Sequence, residues 1–213
     1  MLEFHGFDNG EKMIWILSNF LKEKFDINEV SFIELFNLTN KKLTIIGTNY
    51  SKGIEAVFNH ELTPNMSVLL AVRISSSIPI IFTPVLLDND YYIDGALVNN
   101  FPLNYCNKST TLGLYIKNGW SNELKSIIGL INGCLSIVAD TISEKCFTTD
   151  NFVIQIPNYK QEFTDFNLDH DKKLKIINTG QTFAKKYLET NPLAKTLKAN
   201  KFIDQSTQTD TIN

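Results

Sequence analysis

The run Tyr91-Tyr92-Ile93-Asp94-Gly95-Ala96-Leu97-Val98-Asn99-Asn100-Phe101-Pro102 holds the carboxylate best placed to do chemistry in these 213 residues. An aromatic, β-branched segment stops at an Asp-Gly pair and then turns through Asn-Asn toward a proline. Such a pattern reads as a buried strand that presents one acid at its C-terminal end. In open α/β sheets that is where ligands gather. Gly95 leaves room for a close neighbour and permits backbone angles closed to larger residues. Taken alone, a strand-end Asp-Gly also reads as an ordinary turn.

A nucleophile is harder to find. Ser75, Ser76 and Ser77 lie nearest in sequence, but before Pro79 they read as helix-end and turn hydroxyls. Cys106, Cys134 and Cys146 could pair with His5, His60 or His170 only if the fold gathered them, and scattered cysteines read as small buried hydrophobes. Three widely spaced cysteines make no metal pattern and leave one unpaired in any disulfide scheme. A reducing, intracellular setting is the simpler expectation.

The elements that must position Asp94 follow from periodicity. Asp8 and Glu11 are spaced as a capping box before a helix with Met13, Ile16, Leu17, Phe20 and Leu21 on one core-packing stripe. Ser31 and Glu34 repeat the capping spacing ahead of a short second helix. Strands are expected over Lys42 to Ile46 and Ile54 to Phe58, joined by a turn bounded by Gly47 and Gly53. Thr63-Pro64 reads as an N-cap and first-position pair for a helix ending at the serines. Further strands are expected at Thr111 to Lys117 and Phe152 to Ile156, and helices over Leu124 to Thr141 and after Asp169. Ile127 to Leu135 reads as part of a buried helix, with an interfacial, lipid-facing surface as the alternative. Beyond Pro192 the chain turns polar and reads as a disordered tail.

A chain of this length supports one ordinary core. Its net charge of −3, with dispersed basic residues, gives no footprint for nucleic acid. The start, Met1 to Gly6, lacks the basic-then-apolar pattern of a secretory signal. The longest apolar stretch, Val68 to Leu87, is broken by Arg73, three serines, Pro79 and Pro84, so no membrane span is expected.

Taken in order, several segments resemble the patatin-like phospholipase family. They are the strand ending Thr48-Asn49, Thr63-Pro64, Ala71-x-Arg73-x-Ser75-x-x-x-Pro79, Phe82-x-Pro84, and Asp94-Gly95-Ala96 followed by Asn and Pro102. The resemblance runs from about Phe4 to about Leu188. It implies an α/β fold of three layers, α/β/α, on a mostly parallel sheet, with residues 1–190 as a partial domain and 191–213 as its tail. It also implies lipid acyl hydrolysis by a Ser-Asp dyad that needs no metal or cofactor. Asp94 then carries over as the general base, with Gly95 and Ala96 completing its motif, and Thr48 and Asn49 come close to the site.

The family's nucleophile, the serine of Gly-x-Ser-x-Gly, does not carry over. Glycines four apart occur only at Gly6/Gly10 and Gly129/Gly133, around Asp8 and Ile131, and no two glycines are adjacent to form an oxyanion loop. The expectation is a domain lacking its N-terminal part and catalytically silent alone. Losing a catalytic serine costs on the order of 10⁶-fold in turnover. The expected partners are a phospholipid or other acyl lipid, a separate chain carrying the serine, and a peripheral membrane contact. The alternatives are a non-catalytic lipid- or protein-binding remnant, and a complete enzyme whose reading frame begins further upstream.

Overall fold

A computed structural model describes residues 6–107, 110–117, 127–146, 152–157 and 168–191. The chain forms two compact units, one from 1–106 with 126–146 and the other from 107–125 with 147–213.

The first unit begins with β1 (Gly6–Asp8) and α1 (Glu11–Phe25), then α2 (Phe32–Thr39), β2 (Thr44–Asn49) and β3 (Ile54–Asn59). These lead to α3 (Val68–Ser75), β4 (Ile80–Phe82), β5 (Val85–Leu87), β6 (Asp90–Asp94) and the short α4 (Ala96–Asn99). The second unit contributes β7 (Leu112–Lys117), after which α5 (Ile127–Lys145) returns to the first unit. β8 (Phe152–Pro157) and α6 (His170–Thr190) belong to the second. There β7 and β8 run parallel and α6 packs on β8.

Parallel pairing therefore holds in β7–β8 and in β1–β4, where Gly6 faces Ile80 and Asp8 faces Phe82. The four strands around Asp94, in the order β3-β2-β6-β5, are antiparallel. Short connections decide this for β2–β3 and β5–β6, because a parallel neighbour needs a crossover of a dozen residues or more. Asp88 and Asn89 join β5 to β6 with φ of 50° and 67°, the paired left-handed angles of a tight hairpin.

The core of the first unit is Val30, Phe32, Phe58, Val68, Ala71 and Ile74, with Ile74 fully buried. α3 lays its apolar face on β2 and β6 and so sits directly behind the strand that ends at Asp94.

Local signals hold where the side chain has a backbone group to satisfy. Ser31 and Glu34 form the expected capping box, and Asp169 accepts from Lys172 N–H at 2.8 Å at the start of α6. Two expectations are corrected. Asp8 does not cap α1: its Oδ1 accepts from Gly10 N–H at 2.6 Å, and Gly10 itself is the N-cap. The N-cap of α3 is Ser67, whose hydroxyl accepts from Leu70 N–H. Thr63 instead closes a turn onto Asn59.

The apolar stripes depart further from expectation. No residue of α1 is buried, and Ile16 and Phe20 are exposed together with Trp15. α5 turns Ile127, Leu130, Ile131, Ile137 and Val138 outward, whereas Ala139, Asp140 and Ser143 are buried. Small side chains on the inner face let that helix approach its neighbour α4, which leaves the bulky residues outside. The expected tail beyond Pro192 lies outside the described residues.

Candidate functional site

Asp94 ends β6, and a ladder pairing and two hydrogen bonds fix its main chain. It pairs with Gly47 across the β2–β6 ladder, its N–H donates to the Ser77 carbonyl at 3.0 Å, and its carbonyl accepts from Thr48 Oγ1 at 2.7 Å. Thr48 is buried, so this last bond is shielded from water. The Asp94 main chain is thus held from β2 on one side and from the end of α3 on the other.

The carboxylate is held at one oxygen. Oδ1 accepts from Ala96 N–H at 2.7 Å, in the turn that opens α4. Oδ2 has no hydrogen-bond partner among the described residues, and Asp94 as a whole is half-buried. No lysine or arginine forms an ion pair with Asp94 among the described residues. Burial pushes its carboxyl above the ordinary carboxylate value, and the Ala96 hydrogen bond opposes that only in part. An anchored acid with a free second oxygen and a raised pKa is the form a proton acceptor requires.

Gly95 is needed here for space rather than for backbone freedom. Its φ of −71° is an ordinary helical value, but an added Cβ would overlap the Ile46 carbonyl, 2.7 Å from the carbonyl carbon. The strand and the following helix can approach β2 this closely because residue 95 has no side chain. This corrects the expectation that unusual backbone angles mattered at this position.

Other sequence candidates have different tasks. Asn49 lies at the far end of β6, where its Nδ2 donates to Asp90 Oδ2 at 2.9 Å and its Oδ1 accepts from Lys52 N–H. Ser77 is the serine beside Asp94, but it is fully buried and its hydroxyl donates to the Arg73 carbonyl at 2.7 Å. Ser75 ends α3 and Ser76 follows as its C-cap, as the sequence suggests. Cys106 and Cys134 are exposed and Cys146 is half-buried, against the expectation of buried thiols. His60 stacks on Phe36 at 4.3 Å with Nε2 3.5 Å from Glu61, so it pairs with no cysteine. His170 opens α6, and His5 lies outside the described residues. No cluster of metal-ligating side chains forms among the described residues.

The Asp94 turn lies inside the segment that comparison with known proteins identifies. The family model for patatin-like phospholipase matches residues 1–106. The chain carries a partial patatin-like phospholipase domain.

Relatives agree with that assignment. A protein named probable lipid hydrolase from Invertebrate iridescent virus 6 is 36% identical over 98 residues, covering 46% of this chain and 34% of the relative. An uncharacterized protein of Acanthamoeba polyphaga mimivirus is 29% identical over 123 residues, covering 57% of this chain and 40% of its own. The chain thus spans between a third and two-fifths of the length of these relatives. The crystal structure of VipD from Legionella pneumophila superposes with a TM-score of 0.57 at 15% identity, over 78% of this chain and 36% of VipD. That likeness shows a patatin-like α/β fold, and it reaches well beyond the 106 matched residues. The Arg73–Ser77 contact and the Thr48 bond to Asp94 are the parts of this candidate site that the sequence left unread.

Proposed function

We propose that this chain supplies the base of a lipid acyl hydrolase, Asp94, to a serine carried outside these 213 residues. The observation that carries the reading is the Asp94 carboxylate itself: anchored through Oδ1, with Oδ2 and the charge unpartnered among the described residues, and raised in pKa by burial. The family match and the viral relative named as a lipid hydrolase support an acyl-lipid substrate such as a phospholipid.

In the proposed cycle Asp94 takes the hydroxyl proton as the serine oxygen attacks the ester carbonyl. Collapse of the tetrahedral intermediate expels the alcohol, which leaves with that proton, and an acyl-serine remains. Asp94 then takes a proton from the water that attacks the acyl ester and returns it to the departing serine oxygen, which releases the fatty acid and restores the serine. Neither step uses a metal or cofactor. Without the serine and its anion-stabilising amides the largest catalytic terms are missing, so the chain alone is inactive in this reading. The domain is taken to extend to residue 190.

The test is reconstitution. The coding sequence upstream of Met1 is read for a Gly-x-Ser-x-Gly segment, that polypeptide is supplied fused or separately, and phospholipid ester hydrolysis is measured. Asp94→Asn is expected to lower turnover by about 10²- to 10⁴-fold, the usual contribution of a positioned base. Hydrolysis that survives the substitution overturns the role given to Asp94.

A second reading, a lipid-binding remnant without turnover, draws on the outward apolar residues of α5. Among the described residues no helix is long and apolar enough to cross a membrane, so such contact would be peripheral. Vesicle binding by the isolated chain, with no hydrolysis after reconstitution, would favour it.

A further inference from the structure

The segment Ala71-x-Arg73-x-Ser75-x-x-x-Pro79 has no task in the cycle above, yet it contains the most heavily bonded buried side chain described. Arg73 is 7% exposed. Its Nε donates to the Asn9 carbonyl at 2.9 Å, and Nη2 donates to Thr83 O at 2.8 Å and Thr83 Oγ1 at 3.1 Å. Its Nη1 donates to Ser77 Oγ, and the guanidinium lies 5.5 Å from the centre of the Phe82 ring. One planar fork therefore joins three loops: the exit of β1, the end of α3, and the link between β4 and β5.

Burying a cation is costly unless its donors are satisfied. No carboxylate contacts Arg73 among the described residues; Asp8 contributes only an attractive field, against the desolvation that lowers the Arg73 pKa. Neutral oxygens hold the charge instead, and an arginine at that cost requires a structural return. Gly10 shows how closely the site is fitted around it. With φ +74° and a notional Cβ only 2.7 Å from Arg73 Cδ, that position excludes a side chain both by backbone angle and by space.

The return is visible at Ser77. Its hydroxyl, held by Arg73 Nη1, donates back to Arg73 O, and its carbonyl accepts the Asp94 N–H. We propose that Arg73 and Ser77 are positioning residues for Asp94: the guanidinium fixes the Ser77 turn, and the Ser77 carbonyl sets the height and tilt of the acid. This rests on the reading of Asp94 as a proton acceptor. The geometric coupling can be measured in this chain without any nucleophile.

The experiment follows the Asp94 amide exchange and the Asp94 carboxyl titration by NMR in the full 213-residue chain. Ser77→Ala keeps the carbonyl but removes the hydroxyl, and Arg73→Lys keeps the charge but removes the fork. Both are expected to accelerate Asp94 amide exchange by roughly tenfold or more beyond the change in global stability, the scale of one lost charge-assisted bond. Both should also lower the Asp94 pKa toward the ordinary carboxylate value as the acid loosens toward water. Thr83→Val, which keeps the Thr83 carbonyl contact, should do the same to a smaller extent. Val30→Ala, which weakens the core under α3 without touching the Arg73, Ser77 or Asp94 hydrogen bonds, should leave the Asp94 titration in place.

A folded Ser77→Ala chain with unchanged Asp94 exchange and titration overturns the proposal, as does a Val30→Ala chain that moves Asp94 equally. In the reconstituted enzyme the same Ser77→Ala should lower kcat with KM unchanged. If Asp94→Asn proves harmless while Ser77→Ala still shifts the Asp94 titration, the catalytic reading has failed and the coupling stands.

Discussion

The end of β6 and the outer face of α5 lie in the same compact unit and obey opposite rules. Around Asp94 the polar groups are closely matched: Thr48, Ser77, Ala96 and Arg73 each satisfy a specific partner, and a single Cβ at residue 95 would not fit. On α5, Ile127 is 77% exposed and Ile137 is 53% exposed. The difference teaches where the constraints lie. The backbone presenting the acid is preorganised in the chain as it stands, whereas the bulky face of α5 is free of any tertiary demand among the described residues.

The sharpest way to test that contrast is to damage the matched region at its base. Phe32 is 2% exposed in the core beneath α3, so Phe32→Ala should cost about 3–5 kcal/mol in a denaturation experiment. Trp15→Ala, a larger truncation at a 64% exposed site on α1, should change stability by less than about 0.5 kcal/mol. Comparable losses at the two sites would mean that the outer face of α1 is covered.

Gly95→Ala comes next. Crowding the Ile46 carbonyl should cost about 1–3 kcal/mol and displace the Asp94 turn, seen as a lowered Tm and shifted amide resonances near Ala96. An alanine accepted without loss would show that the strand-to-helix junction is looser than its geometry indicates.

The pH dependence of Asp94→Asn probes the same place from its charge. Burial raises the folded-state pKa of this acid above its ordinary 3.8, so the native chain binds the proton more firmly than the unfolded chain does. That contribution is fully present below the unfolded pKa and is lost as pH rises through the folded one. The permanently neutral Asn should therefore raise Tm at neutral pH relative to the native chain. The gain should vanish as pH falls to 3.8 and below. A Tm difference independent of pH would mean that Asp94 is solvated like a surface acid.

The smallest effect belongs to α5. Leu130→Gln, at a 45% exposed position, should alter stability by no more than about 0.5 kcal/mol. A loss well above that would place the helix face inside a packed interface.

Several elements were legible because their cause is local. The strand ending at Asp94, the Ser31–Glu34 capping box, the Asp169 cap and the helix stop at Ser75 each follow from groups within a few residues. The N-cap at Ser67 was misread because Thr63-Pro64 offers the same signal four residues earlier, and only the Asn59 turn claims that threonine. The hairpin at Asp88-Asn89 had a usable signal, two turn-forming residues between apolar runs, that the long apolar reading of Val68 to Leu87 obscured. The stripe on α1 was correct as a pattern and wrong as a statement of burial, because periodicity shows that a face exists and not what covers it.

Chain order and residue type alone determined that one acid stands at a strand end, that a glycine follows it, and that no Gly-x-Ser-x-Gly nucleophile accompanies it. Those are matters of covalent identity and local pattern. The tertiary structure alone decided that Ser77 is locked onto Arg73, that Thr48 grips the Asp94 carbonyl, and that the Asp94 carboxyl is half-buried. Each of those contacts joins side chains or strands through loops whose closure is set by the packing of α3 on β2 and β6, and no spacing along the chain encodes that distance.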